Sequence, residues 1–120
     1  MRFVIQHHIC EDNHYDLMIE SGDILLTWRI SSNDIGPLFE GAKIRVKKIQ
    51  DHRKDYLSYE GPISGDRGRV EIFDSGECEL ISEKKENKNL YQYQINGRIF
   101  KYRIRLQQAD DFYWLQAVPI

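Results

Sequence analysis

The feature that most constrains this chain is alternation without a helical stripe. Apolar and polar residues trade places at a period of two, and turn residues punctuate the runs throughout. Strands are expected over residues 3–8 and 14–20, then 24–30, 42–50, 69–74, 77–81, 90–95, 98–106 and 112–118. Ser75-Gly76 and Asn96-Gly97 read as tight turns, the second being the strongest short hairpin signal. Residues 31–40, with Asn33, Gly36 and Pro37, read as loop, as do 61–68 and the charged stretch 83–89. The pattern predicts an all-β fold, a compact antiparallel β-barrel with long loops and little helix, with a sandwich as the other solution. At 120 residues the chain is one domain, 1–120, large enough to bury a core.

The first hairpin carries the chemistry. Strand side chains alternate faces, so His14 and Asp16 point the same way. If residues 9–13 form the loop, His8 stands opposite His14, with Cβ atoms about 5 Å apart. Three potential metal or phosphate ligands, His8, His14 and Asp16, then share a face. A one-residue slip in register would separate them.

The formal net charge of −2 argues against a protein that coats nucleic acid non-specifically. It leaves room for an enzyme that grips a strand end through few phosphates. In residues 42–50, Ile44, Val46 and Lys48 fall on one side and Lys43, Arg45, Lys47 and Ile49 on the other. The basic side is either a solvated surface or an electrostatic track for a phosphate backbone. Cys10 and Cys78 form neither a disulfide framework nor a CxxC site. Only its nearness to His7 and His8 suggests a nucleophile or zinc ligand at Cys10. No apolar run approaches a membrane span of about 20 residues, and the N-terminus lacks a signal-peptide core. No membrane partner and a cytoplasmic location are expected.

Two clusters of residues also carry a resemblance. Gln6-His7-His8, five residues, then His14-Tyr15-Asp16-Leu17-Met18-Ile19-Glu20 resembles the Q-K-H-x5-H-Y-D-F-R-L-E pattern of the 3′-phosphoesterase domain of bacterial DNA ligase D and its free-standing relatives. Asp51, His52, Asp55, Tyr56, Glu60, Gly61 and Ile63 resemble that family's E-D-H-P-x-D-Y…F-E-G-x-I segment. Residues 70–76 resemble its V-x-V-W-D-x-G strand.

The resemblance implies a metal-dependent enzyme of strand-break repair by non-homologous end joining. It would remove a 3′-ribonucleotide or 3′-phosphate from DNA or DNA/RNA primer-template 3′ ends. The implied cofactor is Mn2+ or another divalent transition metal. His8, His14 and Asp16 would be its ligands; His52 and Tyr56 would contact the scissile phosphate. A DNA ligase and Ku are the implied protein partners. Gln6 and Glu20 are candidates to orient the ligands.

Four departures qualify this. Met18 stands where the family has an arginine, replacing a bidentate cation with a thioether. His7 replaces a lysine, Ile44 falls where another arginine is expected, and the loop at 60–68 is shortened. Met18 predicts a weakened enzyme unless Arg53 or Arg67 substitutes from another direction. Two alternatives stay open: an inactive member that binds DNA ends or a repair partner, and a cupin-like barrel holding iron through His14, Asp16 and His52.

Overall fold

A strand that buries one face still has two edges of unpaired N–H and C=O groups, and closing the sheet on itself satisfies them all. The computed structural model, which describes residues 1–119, takes that solution. Its strands are β1 (Arg2–Ile9), β2 (His14–Ser21), β3 (Ile24–Ser31), β4 (Ile44–Arg53), β5 (Gly61–Pro62), β6 (Arg69–Lys84), β7 (Leu90–Gly97), β8 (Lys101–Gln108) and β9 (Tyr113–Pro119). Eight of them form an antiparallel ring, in the order β1-β2-β3-β4-β9-β8-β7-β6, and β6 pairs back onto β1. The two-residue β5 lies beside β6 outside the ring.

The inward half of each alternation makes the core. Phe3, Ile5, Leu17, Ile19, Trp28, Ile30, Ile104 and Leu115 are buried inside the barrel. The outward half is polar, with one exception. Val4, Met18 and Leu25 form a second apolar cluster on the outside of the wall, covered by Leu57 and Tyr56. The cover is a 3-10 turn, Lys54–Leu57, which follows β4. A short helix, α1 (Ile35–Phe39), buries Leu38 and stacks Phe39 on Phe73, near Phe100 and Tyr102. Among the described residues no helix is long and apolar enough to cross a membrane.

The all-β barrel agrees with the alternation; several local expectations do not, among them the loop at 61–68, which holds β5, and the strand at 98–106, which begins at Lys101. Residues 31–40 contain α1 rather than loop alone. Pro37 lies in its first turn, where a missing N–H leaves no intrahelical bond unmade. Ser75-Gly76 is no turn: β6 runs through it from Arg69 to Lys84. Gly76 is needed because a Cβ there would collide with the backbone of Asn96 on the neighbouring strand. Asn96-Gly97 does mark a hairpin, but β7 includes both residues and the reversal falls beyond them. The N–H of Gly97 donates to Phe100 O at 2.9 Å.

Asp74 explains Gly97. Its carboxylate is fully buried. It accepts from the backbone N–H groups of Ser75, Arg98, Ile99 and Phe100, at 2.7–3.2 Å. A Cβ on Gly97 would land on that carboxylate. The hairpin is therefore specified by an acid on the adjoining strand β6 as well as by its own turn residues.

Candidate functional site

The candidate residues stand on the outer face of the wall made by β1, β2, β3 and β4. Register places them there. Gln6 pairs with Asp16 and His8 with His14 across β1–β2. Asp16 pairs with Arg29 and Met18 with Thr27 across β2–β3. Because Phe3, Ile5, Leu17 and Ile19 go inward, their alternates Gln6, His8, Asp16 and Met18 go outward. His7 takes the other face and stacks on Tyr15, with ring centroids 4.4 Å apart.

His8, His14 and Asp16 converge. Nδ1 of His8 lies 3.1 Å from Nε2 of His14. That Nε2 is 3.5 Å from Asp16 Oδ2. His14 and Asp16 are buried, at 7% and 4% exposure. The outer nitrogens assign the tautomers. Nε2 of His8 lies 2.8 Å from Arg67 O, and Nδ1 of His14 lies 3.0 Å from Asp12 O. Carbonyl oxygens only accept, so both of those nitrogens carry the hydrogen. The inner nitrogens are left as lone pairs facing each other, beside a carboxylate. Three acceptors in contact repel unless a proton or a cation lies between them. Histidines that ligate metal commonly hold their second N–H on a backbone carbonyl in this way.

Cys10 joins the same cluster. Its Sγ and the ring nitrogens of His8 and His14 all lie within 4.8 Å of one another. The thiol donates to Asp12 O at 3.2 Å, the carbonyl that also fixes His14. Two imidazoles with a carboxylate and a thiol nearby fit a transition metal better than magnesium or calcium, which prefer all-oxygen sites. Cys78 differs: it is buried in the barrel, and burial pushes its thiol up to about 12.

A glycine makes the arrangement possible. Gly68 has φ +83°, and a Cβ there would strike Ile9 O and Cys10. Only a residue without a side chain brings residues 67–69 close enough for Arg67 O to reach His8. Nothing in the sequence distinguished Gly68 from the other glycines of its loop.

His52 arrives by a bulge. Across β3–β4, Thr27 pairs with Ile49 but Leu25 with His52, so Gln50 and Asp51 together oppose Leu26. The extra residue shifts the alternation by one and turns His52 onto the outer face. Its Nδ1 lies 3.0 Å from Gln50 O and 3.1 Å from Thr27 Oγ1, while the Thr27 hydroxyl donates to Leu25 O. Nδ1 therefore carries the hydrogen, and Nε2 has no protein partner among the described residues. Tyr56 packs edge-on to His52, centroids 5.4 Å apart. Gln6, 1% exposed, holds that segment down: its Nε2 donates to Tyr56 O at 3.0 Å and Tyr59 O at 3.1 Å.

A cleft of about 530 Å³ has Gln6, His8, Asp16, His52 and Tyr56 on its walls, while His14 lines the neighbouring hollow. Arg29, Arg53 and Arg67 also line it. Arg29, which sequence reasoning passed over, places Nε 3.5 Å from Asp16 Oδ1. Its only sequence signal was its outward place beside Trp28. Arg67 is held by Ser64, through its O at 2.7 Å and its Oγ at 3.1 Å. Met18 is fully buried in the apolar cluster beneath the 3-10 turn and does not line the cleft.

Glu20 lies away from this cleft. It accepts from the backbone N–H of Arg2 at 2.9 Å and pairs with Lys54 at 3.1 Å. The Arg2 N–H bond, followed by that to Lys54, holds its carboxyl down at about 2. Its contacts bind strand β2 to its neighbours rather than orient a ligand.

Residues 6–113 match the family model described as "DNA Ligase D 3'-phosphoesterase domain". The "Multifunctional non-homologous end joining DNA repair protein LigD" of Mycobacterium tuberculosis is 35% identical over 79 residues, 62% of this chain. Its Pseudomonas aeruginosa counterpart, a "Multifunctional non-homologous end joining protein LigD", is 25% identical over 116 residues, 92% of this chain. The match spans 10% of the first relative's length and 14% of the second's.

Proposed function

Since the chain belongs to the DNA ligase D 3′-phosphoesterase domain family, we propose that it is a divalent-metal-dependent phosphoesterase that trims DNA 3′ ends. The observation that carries this reading is the pair of facing ring nitrogens of His8 and His14, 3.1 Å apart and flanked by Asp16, beside a cleft lined with arginines. His8, His14 and Asp16 would hold the metal, Mn2+ or a similar ion. When bound there, such an ion supplies Lewis acidity toward a phosphoryl oxygen and lowers the pKa of water.

The protein's own groups do the rest. Arg29, Arg53 and Arg67 neutralise the phosphoester as it enters and charge as it develops. His52 keeps its Nδ1 hydrogen on Gln50 O and Thr27 Oγ1, so Nε2 is the atom that exchanges a proton at the scissile phosphate. The Tyr56 hydroxyl donates to a phosphoryl oxygen. Gln6 fixes the backbone that carries Tyr56. Met18 belongs to the floor beneath this segment, and Arg29 provides a cation on the adjoining strand.

The substrate is a primer strand ending in a 3′-phosphate or 3′-ribonucleotide, and the product is an end fit for sealing. The relatives' non-homologous end joining role suggests a DNA ligase, with Ku, as the consumer of that product. The test is phosphate or nucleoside release from such a primer–template with Mn2+, for wild type and His14→Ala. Release by wild type alone supports the proposal. Equal release by both proteins removes His14 from the reaction. End binding without release by wild type would favour an inactive binding module, the alternative raised by Met18.

A further inference from the structure

The outer faces of β3, β4, β9 and β8 form a basic surface leading away from the cleft. Arg29 pairs with Lys47, and Arg45 with Trp114. Trp114 pairs in turn with Gln107, and Gln116 with Arg105. Lys43, Arg45, Lys47 and Arg105 are exposed, and none forms an ion pair among the described residues.

Hollows in the surface follow the same line. One of about 400 Å³ is lined by His14, Arg29, Arg45, Lys47 and Phe112, with Asp12 and Asp111 also on its walls. It shares Arg29 with the cleft. A smaller one, about 40 Å³, continues past Lys43, Trp114 and Arg105. The cations are set in place. The Arg45 guanidinium lies over Phe112 at 3.9 Å from the ring centroid, and the Lys43 ammonium over Trp114 at 4.9 Å. A guanidinium stacked on a ring keeps its N–H edge free for phosphate. Residues 43, 45 and 47, in β4 and the residue before it, recur at about 6.7 Å, close to the spacing of successive phosphates in a nucleic-acid strand.

We propose that this surface is the seat of the strand whose 3′ end occupies the cleft, with Lys47, Arg45 and Lys43 gripping successive phosphates on the 5′ side. The partner is a sugar–phosphate backbone, held by charge and without base readout. The placement of the 3′ end rests on the function proposed above; binding by the surface does not require turnover.

The experiment compares wild type with the triple variant Lys43→Gln, Arg45→Gln, Lys47→Gln. Anisotropy of a labelled 3′-phosphate primer–template reads binding across a salt series, and phosphate release reads turnover. Each lost phosphate contact removes about 0.7–0.9 from the slope of log K against log salt, so the triple variant should lose about 2 and bind at least about tenfold more weakly. With Mn2+, its KM for a long primer should rise while kcat is kept, and a nucleoside 3′-phosphate, which has no phosphate on its 5′ side, should be turned over as by wild type. Lost binding beside an inactive wild type would support the surface and overturn the catalytic reading. Unchanged affinity and salt slope would overturn the surface, whatever the activity. A kcat reduced equally on both substrates would also overturn it, by placing these residues in the chemistry.

Discussion

Strands β4 and β6 show how one pattern serves two ends. Both are long, antiparallel and interrupted by a bulge, and both send alternate residues into the same core. Outward, β4 and the residue before it expose Lys43, Arg45 and Lys47, whereas β6 exposes Glu77 and Glu79. The inward half of the pattern sets the fold in both. The outward half differs in sign, and the basic residues run up to Arg29 at the histidine cleft, where β6 contributes Val70 but none of its acids. A net charge of −2 averages over this separation. A composition-level argument against nucleic acid thus has no force at the level of one face.

Substitutions on the two sides can break that contrast. His8→Ala has the largest expected effect. It removes one of two facing ring nitrogens, and Mn2+-dependent turnover should fall at least about 1,000-fold, since metal Lewis acidity contributes several kcal/mol. Glu79→Gln, on the acidic side, should leave turnover within twofold in the same assay. Comparable losses from both would show that function is not confined to one face.

Asp74→Ala comes next and acts on the fold alone. It strands buried N–H groups of the β7–β8 turn and should cost about 3 kcal/mol in urea unfolding. The folded fraction should keep wild-type kcat. Arg29→Ala should leave the fold intact and lower kcat/KM by roughly 100-fold, the scale of one lost donor at a developing charge.

The smallest effect concerns acid. Glu20 has its carboxyl lowered to about 2 from an ordinary 4.5. A carboxyl depressed on folding contributes stability that is fully present above about pH 4.5 and lost as pH falls toward 2. Glu20→Gln should therefore be less stable than wild type at neutral pH, and the two should converge across that window. Parallel pH profiles would show that the Arg2 and Lys54 contacts carry no net stabilisation.

The barrel was legible in the sequence because alternation is a property of every strand at once. The β1–β2 register followed once residues 9–13 were taken as the loop; the apolar set 3, 5, 17 and 19 fixes which face is inside but tolerates a two-residue slip. What stayed hidden depends on contacts between distant residues. Ser75-Gly76 looks like a turn until Asn96 is known to press against it. His52 looks like a loop residue until the bulge at Gln50-Asp51 turns it outward. Met18 looks like a hole in a phosphate clamp until Leu57 is seen to cover it, with Arg29 beside Asp16. Gly68 and Cys10 gain meaning only when their loops meet at His8.

The account depends on a cation being shared by His8, His14 and Asp16. Calorimetric titration of Mn2+ into the metal-free protein tests this directly, beside His8→Ala, His14→Ala and Asp16→Ala. One ion bound per wild-type chain, with binding lost in all three variants while each remains folded, is the predicted result. Equal binding by wild type and variants, or none by wild type, would contradict it.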